Sequence, residues 1–373
     1  MSKLSSEIAG ALSATAIALL LGGVLVSCGD DTLTPASLVI RDRVAAIRAT
    51  PAEIGVGEET VLEALLVHPG SDAPDLGQIW FTCIQSEGAR GCLDMDFSGG
   101  LDLPGDDDDS AASPGAPAGV QFGLGSSFTF EATGPELEAA WEALTPEQQV
   151  EGLTVLVSVA FLPVTNEELF GLFAGLAAGG DSKAAPEALS ELMEEAILAT
   201  RRIVVSDKTG ATPSAVACDV SELLPNSGPE LERLRFHLDP KGRDSGIELD
   251  QLVSAVPDQS FTLRPQLSEG SIEPYLYVSS DGVTECRGEA PYFAWLSNGG
   301  SHAGDYSFTA DAEDEDETPG RPKVHSFTLP SEAEFTTAID LWLVVRDRRG
   351  GVDWAQWRFS PGSAGGGLDA EIR

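Results

Sequence analysis

Basic residues are scarce in this chain. Its 373 residues include 22 Lys and Arg against 60 Asp and Glu, which gives a formal net charge of −38 at pH 7. A surface of this sign repels nucleic-acid phosphates and anionic lipid headgroups. We therefore expect no nucleic-acid partner, and any attachment to a membrane must depend on something other than charge.

Sequence signatures of catalysis and of metal binding are also missing. The chain has no G-x-S-x-G, H-E-x-x-H or P-loop pattern, which are the motifs of common hydrolases and nucleotide-binding proteins. Its four histidines are scattered and no C-x-x-C pair occurs, which argues against a zinc site. Ser301, His302 and Asp305 have the residue types of a catalytic triad, but triad members meet in space rather than as sequence neighbours. We interpret this stretch as a loop, and the sequence predicts a protein that is not an enzyme.

The N-terminal segment carries no charge over residues 8–26 and turns polar directly after Cys28. An apolar run that ends in small residues is typical of a secretory signal. Leu25-Val26-Ser27-Cys28 resembles the lipobox of bacterial lipoproteins, which implies removal of residues 1–27 and membrane anchoring through acylated Cys28. Gly29 at the next position resembles lipoproteins of the outer membrane, so the expected location is the cell envelope. The alternative is an uncleaved helix, because about 19 apolar residues just span a bilayer.

Four further cysteines suggest disulfides in the oxidising compartment that export implies, with three pairings open. They are Cys83, Cys92, Cys218 and Cys286. Cys83 and Cys92 flank a short segment containing Gly88 and Gly91, so a local bridge across a turn is the simplest pairing. That choice leaves Cys218 to pair with Cys286.

The two halves of the chain contain the same succession of strand-like segments. Each half has a first strand, a Trp-bearing strand, an acidic loop, a strand beginning Ser-Phe-Thr, a long apolar strand and a final strand. These segments are 59–69, 78–85, 127–132, 152–164 and 201–207 in the first half, and 260–267, 292–300, 325–330, 338–347 and 353–361 in the second. Short strands separated by Gly and Pro predict two β-sandwich domains.

Trp80 and Trp295 lie on the strand where Ig-like sandwiches often bury a tryptophan, and residues 344–354 resemble the last hairpin of PKD and other Ig-like modules. The chain is therefore similar to bacterial surface lipoproteins that carry Ig-like domains. The resemblance implies a mainly β fold with two Ig-like β-sandwich domains in tandem. The expected segments are a signal peptide (1–27), a tether (28–39), a first sandwich (40–208), a second sandwich (209–362) and a flexible tail (363–373).

The halves differ in the connection between their last two strands. It is a short turn in the second half, whereas residues 165–200 of the first half carry two helical patterns that begin with a capping box at Thr165 and Glu168. A further helical pattern covers residues 135–144. Apolar side chains of the insert form a candidate partner-binding surface, namely Phe170, Leu172, Phe173 and Leu176. The alternatives are helices that simply pack on the sandwich, or a helical layer over residues 135–199 in an α+β domain.

Acidic runs fall at matching places in the two halves, between the Trp-bearing strand and the Ser-Phe-Thr strand. Clustered carboxylates can bind Ca²⁺, which takes six to eight oxygen ligands. The candidate ligands are Asp106, Asp107, Asp108, Asp109, Asp311, Asp314 and Asp316. The EF-hand spacing is missing, however, and the surrounding Gly, Pro and Ser are typical of solvated loops.

These patterns predict a non-catalytic binding, adhesion or assembly module of the cell envelope, with an envelope protein or a glycan as partner. The alternatives are recognition that depends on Ca²⁺ or on carbohydrate and, with least support, a hydrolytic enzyme. Trp342, Trp354 and Trp357 bear on the carbohydrate alternative, because aromatic side chains on sandwich strands can form a sugar-binding face. The offset of three places Trp354 and Trp357 on opposite faces of a regular strand.

Overall fold

The computed structural model describes residues 35–70, 74–84, 121–177, 184–207, 225–237, 246, 257–278, 284–309, 321–359 and 370–372. Residues 36–373 form one compact unit, and β-strands make up most of its regular structure, as predicted. Among the helices of the described ranges, none is long and apolar enough to cross a membrane. The signal segment and Cys28 lie outside these ranges.

Two sheets form the first sandwich. Its strands are β1 (Arg43–Thr50), β2 (Glu53–Ile54), β3 (Glu59–Val67), β4 (Gly77–Ile84), β5 (Gln121–Leu124), β6 (Ser127–Glu131), β7 (Leu153–Leu162) and β8 (Ile197–Val205). One sheet has the order β1-β3-β6 and the other the order β2-β8-β7-β4-β5. All neighbours pair antiparallel except β2 and β8, which pair in parallel.

The second sandwich has the same construction. Its strands are β9 (Leu231–His237), β10 (Ser260–Leu267), β11 (Pro274–Val278), β12 (Thr284–Gly288), β13 (Tyr292–Ser297), β14 (Ser301–His302), β15 (Tyr306–Phe308), β16 (His325–Thr328), β17 (Ile339–Arg346), β18 (Val352–Phe359) and β19 (Ala370–Ile372). A four-stranded sheet has the order β14-β16-β10-β9 and a five-stranded sheet the order β15-β13-β17-β18-β19, while β11 and β12 form a separate hairpin.

The sequence repeat is thus a repeat of topology. The pairs β3-β6 and β10-β16 hold equivalent positions, and β5-β4-β7-β8 of the first sandwich recurs as β15-β13-β17-β18 in the second. Trp80 and Trp295, on the equivalent strands β4 and β13, are both fully buried. Each indole N–H donates a hydrogen bond of 2.9 Å, to the Gly125 carbonyl and the Ser307 hydroxyl respectively. Buried Trp needs such a partner, and the neighbouring strand supplies it in both sandwiches.

Four helices complete the first sandwich. They are α1 (Pro135–Glu142), α2 (Pro146–Glu151), α3 (Asn166–Ala177) and α4 (Ala184–Glu194). The capping box predicted before α3 is present, since Glu168 accepts from the Thr165 amide at 2.8 Å and the Glu168 amide donates to the Thr165 hydroxyl at 3.2 Å. The bond from the Thr165 amide, with a further one from the Thr165 hydroxyl at 3.0 Å, lowers the pKa of the Glu168 carboxyl. The pattern over 135–144 forms α1, and α2 follows it as a short additional helix.

The helices α3 and α4 cover the outer face of the first five-stranded sheet. The fully covered side chains at this contact include Ile79, Leu156 and Leu162 from the sheet and Leu169 and Phe173 from α3. The opposite face of the same sheet packs on β1, β3 and β6 around Trp80. Since both faces are covered, β7 has no exposed residue, which explains why its sequence is almost entirely apolar, apart from Thr154 and Ser158, and does not alternate.

The two sandwiches stack sheet on sheet. Apolar side chains from the segment before β1, from β1 and β3, and from β13 and β17 form one cluster between them: Val39, Ala46, Leu65, Val67, Ala294, Leu296, Trp342 and Val344. The outer face of the three-stranded sheet therefore covers the outer face of the second five-stranded sheet. The layers follow the order helices, five strands, three strands, five strands, four strands.

Three boundaries can be compared with the sequence. The end of the predicted tether is ordered, because the Ser297 amide donates to the Ser37 carbonyl at 2.9 Å and the Val39 amide donates to the Ser297 carbonyl at 2.8 Å. The predicted flexible tail contains β19, which pairs with the end of β18 and is the edge strand of the sheet. The predicted boundary at 208/209 falls in 208–224, outside the described residues.

Candidate functional site

The predicted partner-binding residues of the helical insert do not share one surface. Phe173 is 4% exposed and packs against the sheet, so its assignment to a binding surface is wrong, because covering the sheet buries the ring. Phe170 is 51% exposed on α3. Leu172 is half-buried, and the side chain of Leu176 lies outside the described part. The insert therefore mainly covers the sheet, as the packing alternative predicts.

The other predicted site residues are described only in part. Both acidic runs, Asp106–Asp109 with Asp311, Asp314 and Asp316, lie outside the described ranges, so Ca²⁺ binding stays a prediction. Cys83 is 7% exposed and disulfide-bonded. The side chains of the remaining four cysteines, Cys28, Cys92, Cys218 and Cys286, are outside the described part, and the pairing of Cys83 with Cys92 stays a prediction. Within the described ranges, no group of three or more His, Cys, Asp or Glu side chains is placed to hold a metal ion.

A serine and two histidines do meet in the second sandwich, though with a different serine from the one adjacent to His302. The His302 ring lies 2.9 Å from the Ser297 hydroxyl through Nε2 and 3.0 Å from His325 Nε2 through Nδ1. The His325 ring stacks on Trp295 with centroids 4.5 Å apart. Ser297 is fully buried and His325 is 4% exposed, whereas His302 is half-buried. Burial lowers the pKa of His302 to about 4 and, with His302 nearby, that of His325 to about 3.

An exposed aromatic surface lies on the edge of the second five-stranded sheet. Tyr306 and Phe308 on β15 are 53% and 48% exposed, and alternation places both on the same face. Tyr292 on β13 is directly opposite Phe308. Its ring centroid lies 6.2 Å from that of Tyr306 and 6.5 Å from that of Phe308. We call Tyr292, Tyr306 and Phe308 the aromatic platform.

The aromatic platform was not predicted from the sequence, and the three tryptophans predicted as candidates lie elsewhere. Trp342 packs between the sandwiches and Trp357 in the core of the second. Trp354 lies on the opposite face from Trp357, as predicted, but the Arg48 guanidinium of β1 covers its ring at 4.4 Å. The Tyr-Ser-Phe spacing at 306–308 was the available signal, because aromatic residues two apart share one face of a strand.

A buried ion network joins the sandwiches beside the apolar cluster. The Arg349 guanidinium contacts three carboxylates, of Glu289 at 2.9 Å, Glu273 at 3.3 Å and Glu53 at 3.3 Å. Glu53 belongs to β2 of the first sandwich and also accepts from the Ser206 hydroxyl at 2.5 Å. Burial, together with the nearby Asp347, raises the pKa of Glu289 to about 7. The network holds β2 against the β17–β18 turn.

No family model matches the chain, and no curated protein matches it. Among solved structures, the D0-D1 domain of Intimin is similar over 82% of this chain and 91% of that chain, at 11% sequence identity and a TM-score of 0.18. A TM-score this low carries no argument about topology or function. The assignment of two stacked sandwiches rests on the strand pairing.

Proposed function

We propose that the protein is a lipid-anchored, non-catalytic binding protein of the bacterial cell envelope, and that its aromatic platform binds a glycan. The observation that carries the proposal is the cluster of three neighbouring rings, two of them about half exposed, on one face of a sheet edge. Aromatic faces pack against the C–H faces of sugar rings, and the tyrosine hydroxyls add hydrogen-bonding groups at the rim. Exposed apolar surface of this kind is typical of a ligand site.

The size of the platform favours a sugar over a protein. Three aromatic side chains at this exposure offer roughly 300 Å² of contact surface. A stable protein–protein interface buries about 800 Å² on each partner. The platform suits one or two sugar rings, and an envelope location would place glycans within its reach.

Titration of the soluble body, from Gly29 onward, with neutral and acidic oligosaccharides and with peptidoglycan fragments tests this proposal. We expect Tyr306→Ser and Phe308→Ser each to weaken binding about tenfold, since each removes one ring and its packing. Leu198→Ser is the matched control, because Leu198 is 49% exposed on β8 of the other sandwich. Isothermal titration calorimetry measures the dissociation constants.

Two results would contradict the proposal. One is a native body that binds none of the saccharides. The other is an equal loss in the Leu198→Ser control, which would show that binding does not depend on the platform.

A further inference from the structure

A cleft of about 370 Å³ lies at the junction of the two sandwiches. Its walls come from β1, the edge strand of the three-stranded sheet, from β8 of the five-stranded sheet of the first sandwich, and from the turn between β17 and β18. Tyr292 contributes to the lining and belongs to the aromatic platform. Across the sheet, Val352, Arg346, Tyr292 and Phe308 form one row of paired residues. The cleft and the platform therefore lie on the same face of the second five-stranded sheet.

The charge of the cleft is opposite to that of the molecule. Four arginines line it, Arg201, Arg202, Arg346 and Arg348, and none of the described lining residues is acidic, although Asp347 lies near Arg201. In a chain where acidic residues outnumber basic ones by 60 to 22, a random surface of this size would carry more carboxylates than guanidinium groups. A positive site in a negative protein concentrates anions locally.

The arginines differ in depth. Arg201 is half-buried; its Nη1 donates to the Ile47 carbonyl, and its Nη2 is buried without a hydrogen-bond partner. Arg346 is also half-buried and donates to the Ala45 carbonyl at 2.6 Å. Arg202 and Arg348 are exposed. Arg201 thus lies at the base of the cleft with one unpaired donor, and Arg202 and Arg348 form its exposed rim.

The charge at the base is not compensated by a paired carboxylate. Burial and the neighbouring Arg346 lower the pKa of Arg201 to about 10, against the opposing effect of Asp347, so the guanidinium stays protonated at neutral pH. Asp347 accepts hydrogen bonds from the Asn226 side chain at 2.8 Å and from the Arg349 and Gly351 amides at 2.7 and 2.8 Å. Among the described residues it forms no ion pair with Arg201. A buried donor on an unpaired cation is costly unless a ligand satisfies it.

We propose that this cleft binds an oxyanion, a phosphate or carboxylate group, with Arg201 at its base and Arg202, Arg346 and Arg348 around it. The guanidinium fork matches both groups and binds them with two parallel hydrogen bonds. The evidence for this anion site comes from the residues of the cleft and does not depend on the aromatic platform. It also deepens the proposed glycan function, and to that extent rests on it, because a glycan on the platform would bring an acidic substituent to the cleft beside Tyr292.

Binding of inorganic phosphate to the soluble body tests the site directly. We expect Arg201→Gln to weaken binding at least tenfold and Arg348→Gln about threefold, because charge-assisted hydrogen bonds to the anion are lost. Arg41→Gln is the matched control, since it removes the same charge from another exposed arginine and should leave the dissociation constant within a factor of 1.5. Because Arg348 is exposed, its variant tests the site even where Arg201→Gln affects folding.

Further ligands distinguish the source of the anion. The same variants are titrated with an oligogalacturonate, which carries carboxylates on a sugar, and with phosphatidylglycerol vesicles, which carry phosphates on a lipid. Binding of any of the three probes that is lost with Arg201→Gln or Arg348→Gln supports the site and identifies its source. The proposed site would be overturned if the native body bound none of the three probes. It would also be overturned if Arg41→Gln weakened binding as much as Arg201→Gln and Arg348→Gln do. Tyr306→Ser should weaken neutral-sugar binding about tenfold and leave phosphate binding unchanged, so the two proposals fail separately.

Discussion

The paired imidazoles of His302 and His325 show how single residues determine the pH dependence of the stability of the second sandwich. Both rings are neutral in the folded chain at pH 7, with pKa values lowered to about 4 and 3. In the unfolded chain each would titrate near 6.5. As the pH falls below 6.5 the unfolded state takes up protons that the folded state does not, so the free energy of unfolding decreases towards pH 4.

We expect His325→Phe to reduce this pH dependence. The phenyl ring can keep the stack on Trp295, and one titrating group is removed, so the slope between pH 6.5 and 4.5 falls by up to about 1.4 kcal/mol per pH unit. At pH 7 the variant loses the hydrogen bond to His302, a cost of about 1 kcal/mol. Urea denaturation at a series of pH values measures both quantities.

Glu289 has the opposite effect on the free energy of unfolding over part of the same pH range. Its raised pKa means that the folded state binds the extra proton between about pH 4.5 and 7, so this group stabilises the fold as the pH falls. The comparison of His325→Phe with the native chain cancels the effect, since both contain Glu289. Identical slopes in the two proteins would show that His325 is not held neutral by burial.

At the residue scale, the sequence supports predictions of core positions better than of surface ones. The burial of Trp80 and Trp295 follows from apolar strands with a recurring tryptophan. The exposure of Tyr306 and Phe308 depends on where the neighbouring sandwich stops, because the same sheet face is buried at Ala294 and Leu296 and only partly covered at Tyr292. No local sequence pattern shows where the neighbouring sandwich stops covering this face.

At the scale of elements, the insert is a cover for the first five-stranded sheet. Its two aromatic side chains provide a matched pair, with Phe173 buried in the contact and Phe170 exposed on the same helix. We expect Phe173→Ala to lower the free energy of unfolding by about 3–5 kcal/mol, because it leaves a cavity against the sheet. Phe170→Ala should change it by no more than about 0.5 kcal/mol.

Chemical denaturation of both variants checks this prediction. A Phe173→Ala protein as stable as Phe170→Ala would show that α3 does not contribute to the core. Deletion of the whole insert is a poor substitute, since it would expose the apolar face that includes Ile79 and Leu162. Loss of binding in such a deletion would then report unfolding and not a missing contact.

Local signals predicted the insert well and the first strand poorly. The capping box and apolar spacing of α3 are short-range features, so they can be recognised in the sequence. The strand β1 reads Arg-Val-Ala-Ala-Ile-Arg-Ala-Thr, and alanine is depleted in strands. It is stabilised by distant partners, because Arg48 pairs with Glu63 and with Asp353 and lies on the Trp354 ring. Those partners are apparent only in the folded chain.

At the scale of the whole molecule, the predicted acylation site is close in sequence to the first contact with the second sandwich. Residues 36–39 are already fixed to the second sandwich through Ser297, so at most seven residues separate Cys28 from the ordered body. Two or three acyl chains are enough for stable anchoring without any attraction of charge.

We expect Cys28→Ser to abolish acylation and to release the protein into the soluble fraction. Palmitate labelling and membrane fractionation measure the two effects. A matched substitution at Ser27→Ala should leave both unchanged, because small residues are tolerated before the cysteine. Retention of the unlabelled Cys28→Ser protein in the membrane would favour the uncleaved-helix alternative.

The sequence repeat predicts two sandwiches but not their stacking. An apolar strand face has the same pattern whether it packs inside a sandwich or against a neighbouring one, so Leu65 and Trp342 are indistinguishable from core residues in the sequence. The arginines of the cleft are likewise separated by more than 140 residues, from Arg202 to Arg346. Only the packing of one sandwich on the other brings them together.

The covered sheet faces also explain why the stack of sheets has a helical layer at one end. The equivalent outer faces of the two five-stranded sheets are both apolar; the first sandwich covers that of the second, and α3 and α4 cover that of the first. The helices thus occupy the place where a third sandwich would otherwise stack. They act as a terminal cap in the sense known from repeat proteins, whose end units need a protected outer surface to stay soluble. An array of such sandwiches would need this helical pair only in its first unit, and every later unit could use the tight turn between its last two strands.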